Sequence, residues 1–162
     1  MTNLNMMTLQ RFLERERIAA TILKLDRRTL TVADAAAALG VPPAQIVKSV
    51  LFFGDGMPVL VISCGLARVA WKTLADYLGI SRRRLKTATA AEVAAVTGYV
   101  VGAVPPFGHR EPLRTVVDTA VYAQPILFSG GGDVDALLRI SPAELRRIVG
   151  PEEVALAERD RE

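Results

Sequence analysis

The stretch Ile46–Phe53, IVKSVLFF, decides the reading of this chain together with Gly54-Asp55-Gly56 and Met57–Cys64, MPVLVISC. Both runs are rich in β-branched and aromatic residues, and the glycines between them permit positive φ. They predict two strands joined as a hairpin. Each run is apolar on both faces, which predicts a sheet covered on each side. One residue resists this pattern. Side chains alternate faces along a strand, so Lys48 shares a face with Ile46, Val50 and Phe52, while Val47, Ser49, Leu51 and Phe53 take the other. Either the lysine stem packs against apolar neighbours and its head reaches water, or Lys48 lines a concave pocket where an anion answers its charge.

Working outward, Thr8–Arg17 reads as a short amphipathic helix and Ile18–Leu25 as a strand. Thr31–Gly40 is a strong helix signal, with Thr31 as cap, Asp34 three residues on, an alanine body and a terminating glycine. Residues 41–45 predict a turn. Trp71–Gly79 and Thr89–Gly98 predict two further helices, the second with capping-box spacing between Thr89 and Glu92. Residues 99–113, punctuated by prolines and glycines, exclude regular structure. Strands are expected over Arg114–Val121, Pro125–Gly132 and Asp135–Ile140. A last helix is expected over Ser141–Gly150, with Ser141 as cap, Pro142 at its first position and Glu144 completing a box. The charged segment 151–162 is expected to fray. Strands alternating with helices predict an α/β or α+β fold with a mixed sheet, a single domain over residues 1–162.

The chain has 162 residues, 51% apolar and 23% charged, with a formal charge of +3. That suits a globular domain with a real core, and the small positive surplus permits a polyanionic partner without demanding one. One cysteine, Cys64, excludes an intrachain disulfide, and one histidine, His109, excludes a multi-histidine metal site. The sequence has no bilayer-length apolar run and no secretory leader pattern, which predicts a cytoplasmic protein without membrane partner, metal or cofactor.

Few residues announce chemistry. The glycine- and proline-rich segments Gly102–Gly108 (GAVPPFG) and Ser129–Gly132 (SGGG) are either turn chemistry or loops whose N–H groups converge on a ligand. Neither fits a nucleotide-binding fingerprint. Asp118 interrupts an apolar strand, where it pairs with a lysine, orients a polar group or caps a neighbouring turn. Cys64 reads as a small core residue, and His109 as a solvated loop residue. The basic run Arg82, Arg83, Arg84 and Lys86 is either a solvated face or a place for phosphates. No Ser-His-Asp set, carboxylate pair or metal motif can be assembled.

Five segments, Thr31–Phe52, Thr97–Gly108, Val116–Thr119, Ile126–Gly132 and Ile140–Gly150, stand in an order and spacing that resembles the YbaK-type aminoacyl-tRNA deacylases. That family is similar to the editing domain inserted in bacterial prolyl-tRNA synthetases. The resemblance spans Ile18–Gly150. It implies a mixed, curved sheet surrounded by helices. It also implies hydrolysis of the ester that joins a wrong amino acid, such as Cys or Ala, to the 3′ acceptor end of tRNA(Pro), with prolyl-tRNA synthetase as a partner. The family's lysine falls on Lys48, and a small hydroxyl residue after it on Ser49. The glycine-proline motif falls on Gly102 to Pro106, the strand aspartate on Asp118, and the serine-glycine loop on Ser129, Gly130 and Gly131. The resemblance thus implies catalytic roles for Lys48 and for the backbone of Gly102 and Ala103. It implies substrate contacts from Ser49, Pro105, Pro106, Asp118 and the 129–131 loop. Ala103 replaces a second glycine and Pro105 a serine found in many members, departures that bear on which amino acid fits. A module of the same fold that binds a tRNA end or nucleotide without hydrolysis is the competing expectation. A hydrolase acting on another small ester is a third.

Overall fold

The computed structural model describes residues 2–158. Among these are five helices, α1 (Met6–Arg15), α2 (Val32–Leu39), α3 (Trp71–Leu78), α4 (Ala90–Thr97) and α5 (Pro142–Val149). Eight strands accompany them: β1 (Ala20–Lys24), β2 (Val47–Gly54), β3 (Met57–Cys64), β4 (Leu85–Thr87), β5 (Arg114–Asp118), β6 (Leu127–Gly130), β7 (Ala136–Ile140) and β8 (Glu153–Val154).

The hairpin forms as its composition predicts. β2 and β3 pair antiparallel in full register from Val47 opposite Cys64 to Gly54 opposite Met57. Asp55 and Gly56 turn the chain with φ of 52° and 81°, the two successive positive values that suit the twist of a tight hairpin. Both faces of the pair are covered. Leu51, Leu60 and Ile62 pack with Leu9 and Leu13 of α1 and Leu145 of α5, while Phe52, Val59 and Val61 pack with Leu74 and Ala75 of α3. A fully buried aliphatic side chain contributes about 1.5–3 kcal/mol. Two-sided cover therefore accounts for the unbroken apolar run Val59–Ile62, all 2% exposed or less.

The strands divide between two sheets. A mixed five-stranded sheet runs β4-β2-β3-β5-β8, with β5 parallel to both β3 and β8. An antiparallel three-stranded sheet runs β1-β7-β6. They meet where Ile46, just before β2, bridges Phe128 of β6 in parallel. At this seam α2 packs Ala35 and Ala36 onto Ile46, Phe128 and Leu137.

Several boundaries differ from expectation, each for a local reason. α1 starts earlier because Asn5 caps it, accepting from the Met7 and Thr8 amides. The strand expected through Val121 stops at Asp118, whose carboxylate accepts from the Ala120 amide and turns the chain into a 3-10 segment, Thr119–Ala123. The basic run makes a 3-10 turn, Arg82–Arg84, and then β4, an edge strand paired to the far end of β2. The segment expected to fray is docked over its described part. β8 pairs with β5, Ala157 bridges Val69, and Leu156 is fully buried; residues 159–162 lie outside the described residues. α5 is capped by Ser141, but the reciprocal half of the expected box does not form. The Glu144 carboxylate instead accepts from the Ala19 amide at 2.6 Å and from Arg147 at 2.7 Å. Among the described residues, no helix is long and apolar enough to cross a membrane.

Candidate active site

A cavity of about 240 Å³ opens at the seam between the two sheets. Three pieces of backbone wall it: the start of β2, the end of β6 and the loop over residues 101–104. The entry into α2 closes it from the side. Lys48 lines this cavity, and so do Ser49, Gly102, Ser129 and Gly130, residues that stand far apart in the chain.

Backbone conformation accounts for one of these glycines and close packing of main chain for the other. Gly102 sits at φ +90°, and a Cβ there would come 2.8 Å from Leu30 Cδ2. A Cβ on Gly130 would overlap the carbonyl of Val104. The two loops thus touch through main chain, which a side chain would prevent.

Lys48 is half-buried, and its ammonium makes no hydrogen bond or ion pair with any described residue. Among the described residues lining the cavity it is the only ionised side chain; no carboxylate or imidazole faces it there. α2 adds to this positive field. Its cap Thr31 takes the Asp34 amide with its hydroxyl and the Ala35 amide with its carbonyl. The Val32 and Ala33 amides find no acceptor among the described residues, and Val32 is one of the lining residues; a helix N-terminus favours negative charge. The Gly102 amide also lacks an acceptor among the described residues. An unpaired cation and open amides around an apolar-walled cavity constitute a place for an anion, or for an oxygen on which negative charge develops.

The other residues singled out from sequence lie elsewhere or are already engaged. The Ala103 amide donates to the Val100 carbonyl at 3.0 Å, and the Ala103 carbonyl accepts from Gly132. Ala103 is fully buried, so its N–H is not available as an oxyanion donor. Gly131 spends its amide on Ala136 and stands behind the cavity rather than in its lining. Pro105 and Pro106 are buried outside the lining, with Pro106 against a separate hollow beside Phe12 and His109. Asp118, 2% exposed, accepts from the Ala120 and Leu156 amides and so performs the capping alternative.

His109 departs from the solvated reading. Its Nε2 stands 2.8 Å from the Pro105 carbonyl, which only accepts, so that nitrogen carries the proton. Burial lowers its pKa, against the opposing pull of that bond. Cys64 is a core thiol as expected. Burial, reinforced by the Asp118 charge, pushes it up to about 11, which removes it as a nucleophile. Arg83, Arg84 and Lys86 line an open groove at the far end of β2, about 17 Å from Lys48 at the rise of a strand. There Arg84 is paired with Asp55 at 2.8 Å, and the Arg82 carbonyl accepts from Trp71 Nε1.

Sequence reasoning missed Thr29. It lines the same cavity at 5% exposure, with a hydroxyl that finds no partner among the described residues. No sequence signal marks a lone threonine in a charged segment; only the folded register brings residue 29 against the glycine loops.

Comparisons with known proteins agree with this fold. An uncharacterised protein of Bacillus subtilis (strain 168), YwhH, is 27% identical over 125 residues, covering 76% of this chain and 78% of that one. A proline–tRNA ligase of Nitratidesulfovibrio vulgaris is 33% identical over 109 residues, 67% of this chain but 19% of the ligase. The chain thus corresponds to about a fifth of that relative's length. A crystal structure of a candidate trans-editing enzyme for prolyl tRNA synthetase superposes with a TM-score of 0.87 at 32% identity, covering 94% of this chain and 96% of the other. The family model for the aminoacyl-tRNA editing domain matches residues 26–148, a span that contains Lys48, the glycine loops and the cavity between them. This chain belongs to the aminoacyl-tRNA editing domain family.

Proposed function

We propose that the protein hydrolyses the ester joining a mispaired small amino acid to tRNA, with tRNA(Pro) as the carrier. The observation that carries this reading is the half-buried, unpartnered Lys48 ammonium in a cavity walled by Gly102 and Gly130. The need for such a reaction is physical. A binding pocket separates two amino acids differing by one methylene by about 1–3 kcal/mol, so a synthetase benefits from a second sieve acting on its product.

In this reading Lys48 holds a phosphate or ribose oxygen of the terminal adenosine and keeps the ester in register. Water adds to the ester carbonyl, and the Gly102 amide donates to the oxyanion that forms. The bond to the ribose oxygen then breaks, releasing the free amino acid and a tRNA with its hydroxyl restored. Among the described residues, no side chain lining the cavity is a general base. The proton of the attacking water therefore passes through a substrate group, the neighbouring ribose hydroxyl being the nearest by chemistry. Ser49 and Ser129 border the aminoacyl group. The Arg82–Arg84 run and Lys86, at the far end of β2, meet phosphates further along the acceptor arm. Prolyl-tRNA synthetase is the partner whose product this site corrects.

The same lack of a base favours one second reading, a domain that shelters the acceptor end without cleaving it. Incubation with Ala-, Cys- and Ser-charged tRNA(Pro), followed by measurement of the remaining ester, separates the two. Editing predicts accelerated loss of at least one species. Protection of all three at saturating protein contradicts editing and supports the binder.

A further inference from the structure

The mouth of the cavity is apolar. Leu30 and Val101 both line the cavity, yet they are 51% and 55% exposed, so they stand at its rim. Folding accounts for neither. The Ala103 amide donates to the Val100 carbonyl at 3.0 Å, and Gly102 takes φ +90°, which makes Val101 the apex of a tight turn. Such positions favour proline or small polar residues over a β-branched apolar one. Leu30 immediately precedes Thr31, the cap of α2. A Cβ on Gly102 would come 2.8 Å from Leu30 Cδ2, so the leucine methyl rests on the bare α-carbon of Gly102, the residue next to Val101. The turn and the leucine thus bring two exposed apolar side chains to one rim. Apolar residues scattered singly over a surface are ordinary, whereas a pair gathered at a cavity mouth marks a place for a ligand.

We infer that Leu30 and Val101 form a platform on which the base of the 3′-terminal nucleotide stacks, and that this platform reads the face of the base rather than its edge. The inference rests on the editing reading for the identity of the ligand. A cavity of about 240 Å³ is smaller than the about 300–1,000 Å³ that encloses a whole drug-sized ligand, and a nucleoside carrying an aminoacyl group is of that size. With its ester at Lys48 and Gly102, its base is left at the mouth. The side chains of Leu30 and Val101 carry no donor or acceptor. They offer a base close packing and shelter from water, and no hydrogen bond to its edge. Every base has a flat face of this kind, so the contact tolerates a change of base.

The test measures binding of 3′-alanyl-amido adenosine, a non-hydrolysable mimic of the ester end, and of the same compound with hydrogen in place of the base. Wild type is expected to bind the first about tenfold more tightly, the low end of what a stacked base contributes. The double substitution Leu30→Ser with Val101→Ser is expected to bring the two affinities within about threefold of each other and to leave that for the abasic compound unchanged. Melting temperature is the control for folding, and Val101→Ser alone, at the turn apex, is expected to give part of the same loss. Guanosine and cytidine counterparts are expected to bind wild type within about threefold of the adenosine compound. Equal binding of the adenosine and abasic compounds by wild type overturns the inference and leaves the rim to a protein partner. An equal loss for both compounds in the variants also overturns it, since the pair would then serve the cavity and not the base. Binding of guanosine or cytidine weaker by more than about threefold overturns it as well, because base edges would then be read. So does failure of all the compounds to bind. Base-dependent binding that the substitutions abolish sustains the inference even if no ester is cleaved, which would remove the editing reading alone. Ester loss with base-independent binding removes the platform and leaves editing in place.

Discussion

Glu144 shows how much one side chain can join. Its carboxylate accepts from the Ala19 amide ahead of β1 and from Arg147 one turn along α5. The Arg147 guanidinium first, and the Ala19 amide second, bring its pKa down to about 2. A carboxylate depressed in the folded state adds stability that is complete above its unfolded value, near 4.5, and is lost as pH falls through that value towards the folded one. The Arg147 side chain is 54% exposed and that of Glu144 15%, so solvent around the guanidinium screens the pair and moderates the effect. Urea midpoints recorded across the acid range are expected to fall less steeply in Glu144→Gln than in wild type. Superimposable profiles would remove Glu144 from the acid response. The spacing from Ser141 to Glu144 suits a capping box. The carboxylate goes elsewhere because the fold offers Ala19 and Arg147 as partners, and neither contact can be inferred from the residues around Ser141.

Elements are legible where their signals are local. The β2–β3 hairpin, the caps of α2 and α4 and the break over residues 99–113 all arise from periodicity, capping residues and glycine or proline placement. β4 and β8 are not legible. Each is two or three residues long and is a strand only because β2 or β5 presents an edge to it. Asp118 governs the second of these. It holds the Leu156 amide at 3.2 Å and the Ala120 amide at 3.3 Å, pinning the C-terminal segment beside β5. Asp118→Ala leaves both amides without their acceptor and is expected to lower stability by about 1–3 kcal/mol. Amide exchange should rise first over residues 153–157. A decrease under about 0.5 kcal/mol, half the typical net value of a hydrogen bond, with unchanged exchange would show that apolar packing alone seats the segment. The Arg82–Arg84 turn belongs to the same scale, since β4 fixes where it stands. Neutralising its three arginines is expected to weaken tRNA binding and flatten its salt dependence by about 0.7–0.9 in slope for each phosphate no longer neutralised. An unchanged slope excludes that turn from the interface.

At the scale of the whole molecule, the site lies at a seam. Two sheets meet through the bridge from Ile46 to Phe128, and the cavity opens there because α2 and the 101–104 loop cover the seam without filling it. Lys48 in an apolar strand and the glycine loops mark the wall residues in the sequence itself. Thr29 and the engagement of Ala103 carry no such mark, because both depend on how distant segments pack. In the proposed reaction Lys48 is the cation that holds the acceptor end, and every later step depends on it. Its direct test is the single-turnover rate of ester loss from charged tRNA(Pro) in wild type and Lys48→Ala, with melting temperature as the control for folding. A fall of about a hundredfold or more, the scale of removing a positioned electrostatic contact, is the expected result at an unchanged melting temperature. A rate within about threefold of wild type, far short of that scale, would contradict the role given to Lys48.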